Sequence, residues 1–208
     1  MAFLNTVHLN IVQYTQVMVP ERHPVRHDRG SITSTALRLL DEVGLPDLSM
    51  RRLASELGVQ PSALYWHFSN KQELLAAVAD RILERISTPT STPTSDAVLT
   101  VARNIRDALL AYRDGAEIVM SSYALGFGAD RAHTALVDAL STDPIADADA
   151  RASVLLQFIL GHALAVQQRL HAESHGAAAP SAEADPSARI EATFDIGVRA
   201  LLAGLRTM

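Results

Sequence analysis

The segment LPDLSMRRLASELGVQPSALYWHFSNKQELL, residues 45–75, decides the fold. Ser49 precedes an apolar-periodic stretch, where the first turn of a helix needs a side-chain acceptor. Met50, Leu53, Ala54 and Leu57 then fall at helical spacing and predict a short helix with one inner face. Gly58 ends it and lets the chain bend sharply. Pro61 suits the first turn of a further helix, predicted to run to about Phe68 with Leu64 and Phe68 inward. Two short helices about a glycine turn make a helix-turn-helix, and the second helix of such a unit enters the major groove of DNA.

The pattern extends in both directions. Upstream, Ile32, Ala36, Leu39, Leu40 and Val43 predict a helix over 30–43, closed by Gly44 and Pro46. Downstream, Asn70 and Glu73 resemble a capping box for a helix over 71–86, with Leu75, Val78, Ile82 and Ile86 on one face. STPTSTPTS, residues 87–95, cannot continue a helix and reads as a linker between domains. Helical patterns resume at 96–113, 116–123, 130–140, 147–172 and 188–206, and the segment 173–187 reads as a loop. No stretch sustains period-two alternation. The expectation is an all-α chain: an arm over 1–27, a helix-turn-helix domain over 28–86 and a helical ligand-binding and dimerisation domain over 96–208. Pro20 and Pro24 keep the arm non-helical, and Met18 is a second candidate start. The arm is either a disordered tail or a basic strand that touches DNA.

Composition narrows the classes. The chain has 208 residues and no cysteine, which excludes disulfides, thiolate zinc sites and a cysteine nucleophile and fits a cytoplasmic protein. No uninterrupted apolar run reaches the ~18 residues of a membrane span, so no membrane partner is expected. The N-terminus lacks a secretory-signal pattern. The net charge of −5 lies in the second half: residues 20–86 hold nine Lys/Arg and nine Asp/Glu, residues 96–208 nine and fourteen. A neutral domain can still read DNA through a small cationic face, because phosphate contacts are local.

With Leu64 and Phe68 inward, Ser62, Ala63, Tyr65, Trp66 and His67 face out. Tyr, Trp and His each join an apolar body to a polar tip, which suits a sugar–phosphate wall. Arg51, Arg52 and Lys71 add positive charge on that side. The competing reading makes the aromatics packing residues, with Tyr65 against the following helix.

Residues 45–75 resemble the DNA-binding domain of the tetracycline-repressor (TetR) family along their whole length. The resemblance implies DNA-backbone contacts from Ser49, Tyr65, His67 and Lys71, and base readout from Arg51, Pro61, Ser62 and Ala63. Pro61 and Ala63 can offer only apolar contacts to bases, so Arg51 becomes the candidate for a guanine. The second half resembles the tetracycline-repressor branch in DALLAYRDGAEIV (107–119), QFILGHAL (157–164) and FDIGVRALLAGL (194–205). Where that branch holds magnesium–tetracycline through polar side chains, this chain has Val101, Val119, Gln157 and Ala165, which argues against that ligand. The resemblance implies an effector pocket lined by Val101, Ile105, Leu109, Val119, Ser122, Tyr123, Gln157, Phe158 and His162. Such a lining fits a small, largely apolar effector. Each residue is equally readable as plain core, and His162 as either a satisfied core histidine or a ligand-orienting one.

Residues 154–166, VLLQFILGHALAV, are apolar almost all round and must be covered on every side. The eighth and last helices are therefore expected to pair with a second copy as a homodimer, with Gly161, Gly197 and Gly204 permitting close approach. His171 and His175 are spaced as a metal pair with no third ligand in view, so no metal or cofactor is expected. GFG at 126–128 lacks the strand and third glycine of a dinucleotide site and reads as a joint between helices. No catalytic constellation supports an enzyme. The expectation is a ligand-responsive DNA-binding repressor with a double-stranded operator; the alternative is a ligand-independent regulator or activator.

Overall fold

The computed structural model describes residues 27–86, 95–128, 130–141, 147–179 and 186–205. Among the described residues the chain forms nine helices and no strand. They are α1 (Arg29–Val43), α2 (Met50–Leu57), α3 (Pro61–Tyr65), α4 (Lys71–Leu83), α5 (Ser95–Leu110), α6 (Gly115–Ala124), α7 (Asp130–Leu140), α8 (Ala148–Ser174) and α9 (Pro186–Gly204). The arm up to residue 26 and most of the linker, 87–94, lie outside the described residues.

The helix starts follow from capping chemistry. Asp28 accepts from the Ser31 backbone N–H at 2.7 Å while the Ser31 hydroxyl accepts from Asp28 N–H at 3.0 Å. That reciprocal box opens α1 and holds the Asp28 carboxyl below its ordinary range, chiefly through the Ser31 backbone bond. Ser49 caps α2 by accepting from Arg52 N–H at 3.2 Å, and Gly58 ends α2 in the left-handed region with φ of 66°. Asn70 caps α4 through Glu73 N–H at 2.8 Å. The return bond of a full box goes instead from Ser69 N–H to Glu73 Oε2 at 2.8 Å.

Several boundaries differ from the sequence expectation. α3 stops at Tyr65 rather than Phe68, because Leu64 O accepts from both His67 and Phe68 N–H at 2.9 Å and closes the helix in a tight turn. That turn drops Phe68 into the core, where it is fully buried. α4 ends at Leu83, and Leu74 rather than Leu75 occupies its buried face. The helix lies between α1 and α6, so Leu74, Val78, Ala79, Ile82 and Leu83 are all covered. α5 ends at Leu110 and not 113, since Asp114 takes a left-handed conformation with φ of 55° before α6. α8 and α9 take residues from both ends of the expected 173–187 loop. Of the three glycines expected at close approaches, Gly197 makes one within the chain: a Cβ there would collide with the Phe158 ring. Gly161 and Gly204 face open space in the single chain.

The buried apolar residues form one continuous cluster from Ile32 to Leu202. α4 joins the halves by packing on α1 and on α5, α6 and α7. α8 is long and apolar enough to cross a membrane by length and composition, with a mean hydropathy of 1.2 over its window. Its inner side, Leu155, Leu156, Ile159, Leu160 and Ala163, is instead buried where α8 packs on α5, α6, α7 and α9.

Candidate nucleic-acid interface and effector core

α2, the Gly58 turn and α3 set one face of the molecule. Leu53, Ala54, Leu64 and Phe68 anchor the unit from behind and are all buried. In front, Trp66 is 89% exposed and Tyr65 52%, with Ser62 exposed and Pro61, Ala63 and His67 half-buried. The packing reading therefore fails for Trp66: an indole so bare is not filling a core. Arg51 and Arg52 are exposed on α2, and Lys71 is half-buried at the start of α4. Among the described residues these three cations make no ion pair, whereas Arg29, Arg38 and Arg81 are all paired with glutamates. Three cations without an ion pair thus lie on α2 and at the start of α4, on either side of the exposed aromatics, with the paired Arg29 beside them. Ser49 sits in the same region with its hydroxyl committed to the α2 cap.

Two contacts that the sequence did not reveal hold this face. Arg29 reaches from α1 to the α3–α4 turn, donating to His67 O at 2.6 Å and to Glu73 Oε1 at 2.8 Å, with its guanidinium 4.2 Å from the Phe68 ring centre. The Ser69 backbone bond and Arg29 together keep the Glu73 carboxyl below its usual range. His27 Nε2 lies 3.1 Å from the Leu57 carbonyl and ties the chain before α1 to the end of α2.

The expected effector-lining residues divide by place. Val101, Ile105 and Leu109 on α5 and Val119 and Ser122 on α6 are buried. Tyr123 on α6 and Phe158 and His162 on α8 are half-buried and lie nearer the edge of that core. Gln157 is on the exposed side of α8, in line with Val154, Gly161 and Ala165. His162 packs 5.0 Å from Phe194 and 6.0 Å from Phe158, ring centre to ring centre. Burial, and secondarily the Arg106 charge, push its pKa down and favour the neutral imidazole. Among the described residues no group of three or more metal-ligating side chains is present, and His171 and His175 remain a pair.

The face and the core meet at two joints. At the first, Asp114, 5% exposed, accepts from Leu45 N–H at 2.7 Å, and its other oxygen lies 3.3 Å from His171 Nε2. Arg113 N–H donates to Asp41 at 3.0 Å, so the α5–α6 turn holds both the last turn of α1 and the chain just after it. Gln167 of α8 fixes that turn in place, accepting from Ala116 N–H at 3.0 Å and donating to Tyr112 O at 2.8 Å. Asp41, Tyr112, Arg113, Asp114, Gln167 and His171 line an open cavity of about 340 Å³ with Leu110, Ala111 and Leu170. At the second, the GFG turn lies along α4: a Cβ on Gly128 would stand 3.1 Å from Asp80 and 3.6 Å from the Ala76 carbonyl. The joint read from the sequence is thus docked on α4.

Comparison with known proteins places both halves. The family described as bacterial regulatory proteins, tetR family, matches residues 32–78. The tetracyclin repressor-like C-terminal domain matches residues 89–185. The class C tetracycline repressor protein of Escherichia coli is 50% identical over 95 residues, 43% of each chain. The match to that relative therefore spans less than half its length. The class D tetracycline repressor protein of Escherichia coli is 33% identical over 191 residues, 88% of each chain. A crystal structure of BioQ with its double-stranded DNA operator superposes with a TM-score of 0.71 at 35% identity, covering 88% of this chain and 100% of that one.

Proposed function

The chain belongs to the TetR family of bacterial regulatory proteins, and from that premise we propose that it is a ligand-responsive transcriptional regulator. It binds a palindromic double-stranded operator as a homodimer, represses from there, and is released by a small, largely apolar effector. It acts in the cytoplasm and catalyses no reaction. The observation that carries the reading is the α2–α3 face, where Tyr65 and Trp66 stand exposed among the unpaired cations Arg51, Arg52 and Lys71. Phosphate and sugar contacts fall to Ser49, Tyr65, Trp66, His67 and Lys71. Arg51 reads a base, and Pro61, Ser62 and Ala63 line the groove edge. The likeness to BioQ, solved with its double-stranded DNA operator, supports this reading.

The dimer forms through α8 and α9. Val154, Gln157, Gly161 and Ala165 make one exposed, mostly apolar line on α8, and Ile196 on α9 is 68% exposed. Two α3 helices then sit about one turn of DNA apart, roughly 34–36 Å. Effector among Val101, Ile105, Leu109, Val119, Ser122, Tyr123, Phe158 and His162 must favour a different separation to release DNA. Gln157, exposed beside the dimer line, joins that lining only across the two copies. α4 carries the movement, with the Asp114 joint as a second grip.

One observation favours the ligand-independent alternative: Val101, Ile105, Leu109 and Val119 are packed with no exposed surface. An effector therefore has to open this core rather than fill a standing cleft. The test is selection of duplexes from a random library, followed by anisotropy titration of the selected duplex. Arg51→Ala should weaken binding by roughly 10–100-fold while light scattering still reports a dimer. Unchanged affinity would remove the reading face from this assignment.

A further inference from the structure

Arg106 of α5 is a buried guanidinium, 6% exposed, that the proposed function does not yet use. Its Nε and Nη2 both donate to Asp107 Oδ1, at 2.9 and 2.7 Å, and its charge rests 4.8 Å from the Phe194 ring centre. Its Nη1 is buried with no hydrogen-bond partner among the described residues. The same is true of His162 Nε2, on the same aromatic ring of α9. Folded chains rarely leave buried donors unmet, and two beside one ring mark a place built for a group the chain does not supply.

The walls define what that group is attached to. Phe158 and Phe194 lie near-parallel, 28° apart with centres separated by 5.8 Å, and Phe158 reaches this position because Gly197 has no side chain. The half-buried Phe158 ring can add a flat, conjugated partner in offset or edge-to-face contact. A guanidinium only donates, so the partner must present an oxygen acceptor to Nη1. Asp195 pairs with Arg103 beside it, and Asp107 pairs with Arg106, so the two arginines are already balanced by two carboxylates. The acceptor need not carry a full charge. His162, with its imidazole kept neutral, can carry its proton on Nε2 and donate it to either a carbonyl or a carboxylate.

We infer that the junction of α5, α8 and α9 is an effector subsite for a flat aromatic compound bearing a carbonyl or carboxylate oxygen, received by Arg106 Nη1 and His162 Nε2. This rests on the ligand-responsive reading above and adds Arg106 to it as the polar anchor of an otherwise apolar effector. Its place where α5, which packs on α4, meets the two dimer helices lets an occupant bias their spacing.

The test uses the full-length chain and three matched probes, naphthoate, acetylnaphthalene and ethylnaphthalene, substituted at the same ring carbon. Calorimetry should find both oxygen-bearing probes binding about tenfold tighter or more than the hydrocarbon. Arg106→Met, which keeps the stem and loses the donors, should erase that preference, and His162→Phe should reduce it. Equal affinity of the three probes, or binding by none, overturns the inference from the wild-type chain alone, so misfolding of a variant does not protect it. So does an Arg106→Met chain that loses its dimer and keeps the oxygen preference, since the partner of Nη1 is then the second copy. If there is no oxygen preference but apolar compounds still release the selected duplex, this subsite falls and the ligand-responsive reading stands. If no compound of any class releases the duplex, the reading itself falls.

Discussion

The N-terminal helices α1 to α4, proposed as the reading head, and α5 to α9, proposed as the effector core, arrange their polar groups in opposite ways. The head keeps its working groups outside: three unpaired cations and two exposed aromatics on a frame whose helix starts are capped by Asp28, Ser49 and Asn70. The core keeps its working groups inside or half-buried, where Arg106, Gln167 and His162 sit among apolar side chains. A surface site can change residue by residue with little effect on folding. A buried one is tied to packing and changes only with its neighbours. The difference predicts that function and stability separate cleanly in the head and stay entangled in the core.

That prediction can be broken from either side. The largest effect should come from the head's own anchor: Phe68→Ala removes a fully buried ring and should cost ~3–5 kcal/mol in urea denaturation. DNA binding should then fail only as far as the fold does. Asp114→Ala comes next, because it strips the acceptor from Leu45 N–H at the joint between the halves. It should cost ~1–3 kcal/mol, and Asp114→Asn, which keeps an acceptor and tolerates the left-handed backbone, should cost less. Trp66→Ala should leave the denaturation midpoint nearly untouched and weaken the selected duplex by about fivefold, roughly 1 kcal/mol. A large stability loss there would put Trp66 in the core and end the contrast.

The smallest effect is a pH dependence in the core. His162 has its pKa lowered from 6.5 by burial and by Arg106. The unfolded chain therefore takes up a proton at this site more readily than the folded one, and unfolding is linked to proton uptake. The contribution is complete above about pH 6.5 and is lost as pH falls through the window below it. Denaturation midpoints should fall between about pH 7 and pH 5 more in the wild type than in His162→Phe. An identical slope in both would free His162 from the buried environment assigned to it.

Legibility followed the same division. Ser49, Gly58, Pro61 and Asn70 announce the head because caps and turns are local: each acts on backbone within three or four residues. The Asp28–Ser31 box is just as local and was missed only because Asp28 sits at the end of a basic, proline-broken stretch. The end of α3 at Tyr65 was misplaced because the burial of Phe68, not helical propensity, decides where that helix stops. In the core the aliphatic stripes predicted helices, yet an almost wholly apolar segment such as 154–166 carries little phase, and which residues face a ligand, a neighbour or a second copy could not be read from it.

The sequence by itself determined the order of helices, the position of the helix-turn-helix and the chemistry of its outer face, since these rest on contacts a few residues apart. Only the tertiary structure decided how the head is joined to the core. Asp114 of the core and Leu45 of the head are 69 residues apart in the chain, and Gln167, which fixes the Asp114 turn, is 51 from its partner Ala116. Asp and Gln occur throughout the chain, and no local pattern distinguishes the ones that meet. Burial makes the distinction, because it is where water is excluded that a backbone N–H must find the one acceptor the fold brings to it.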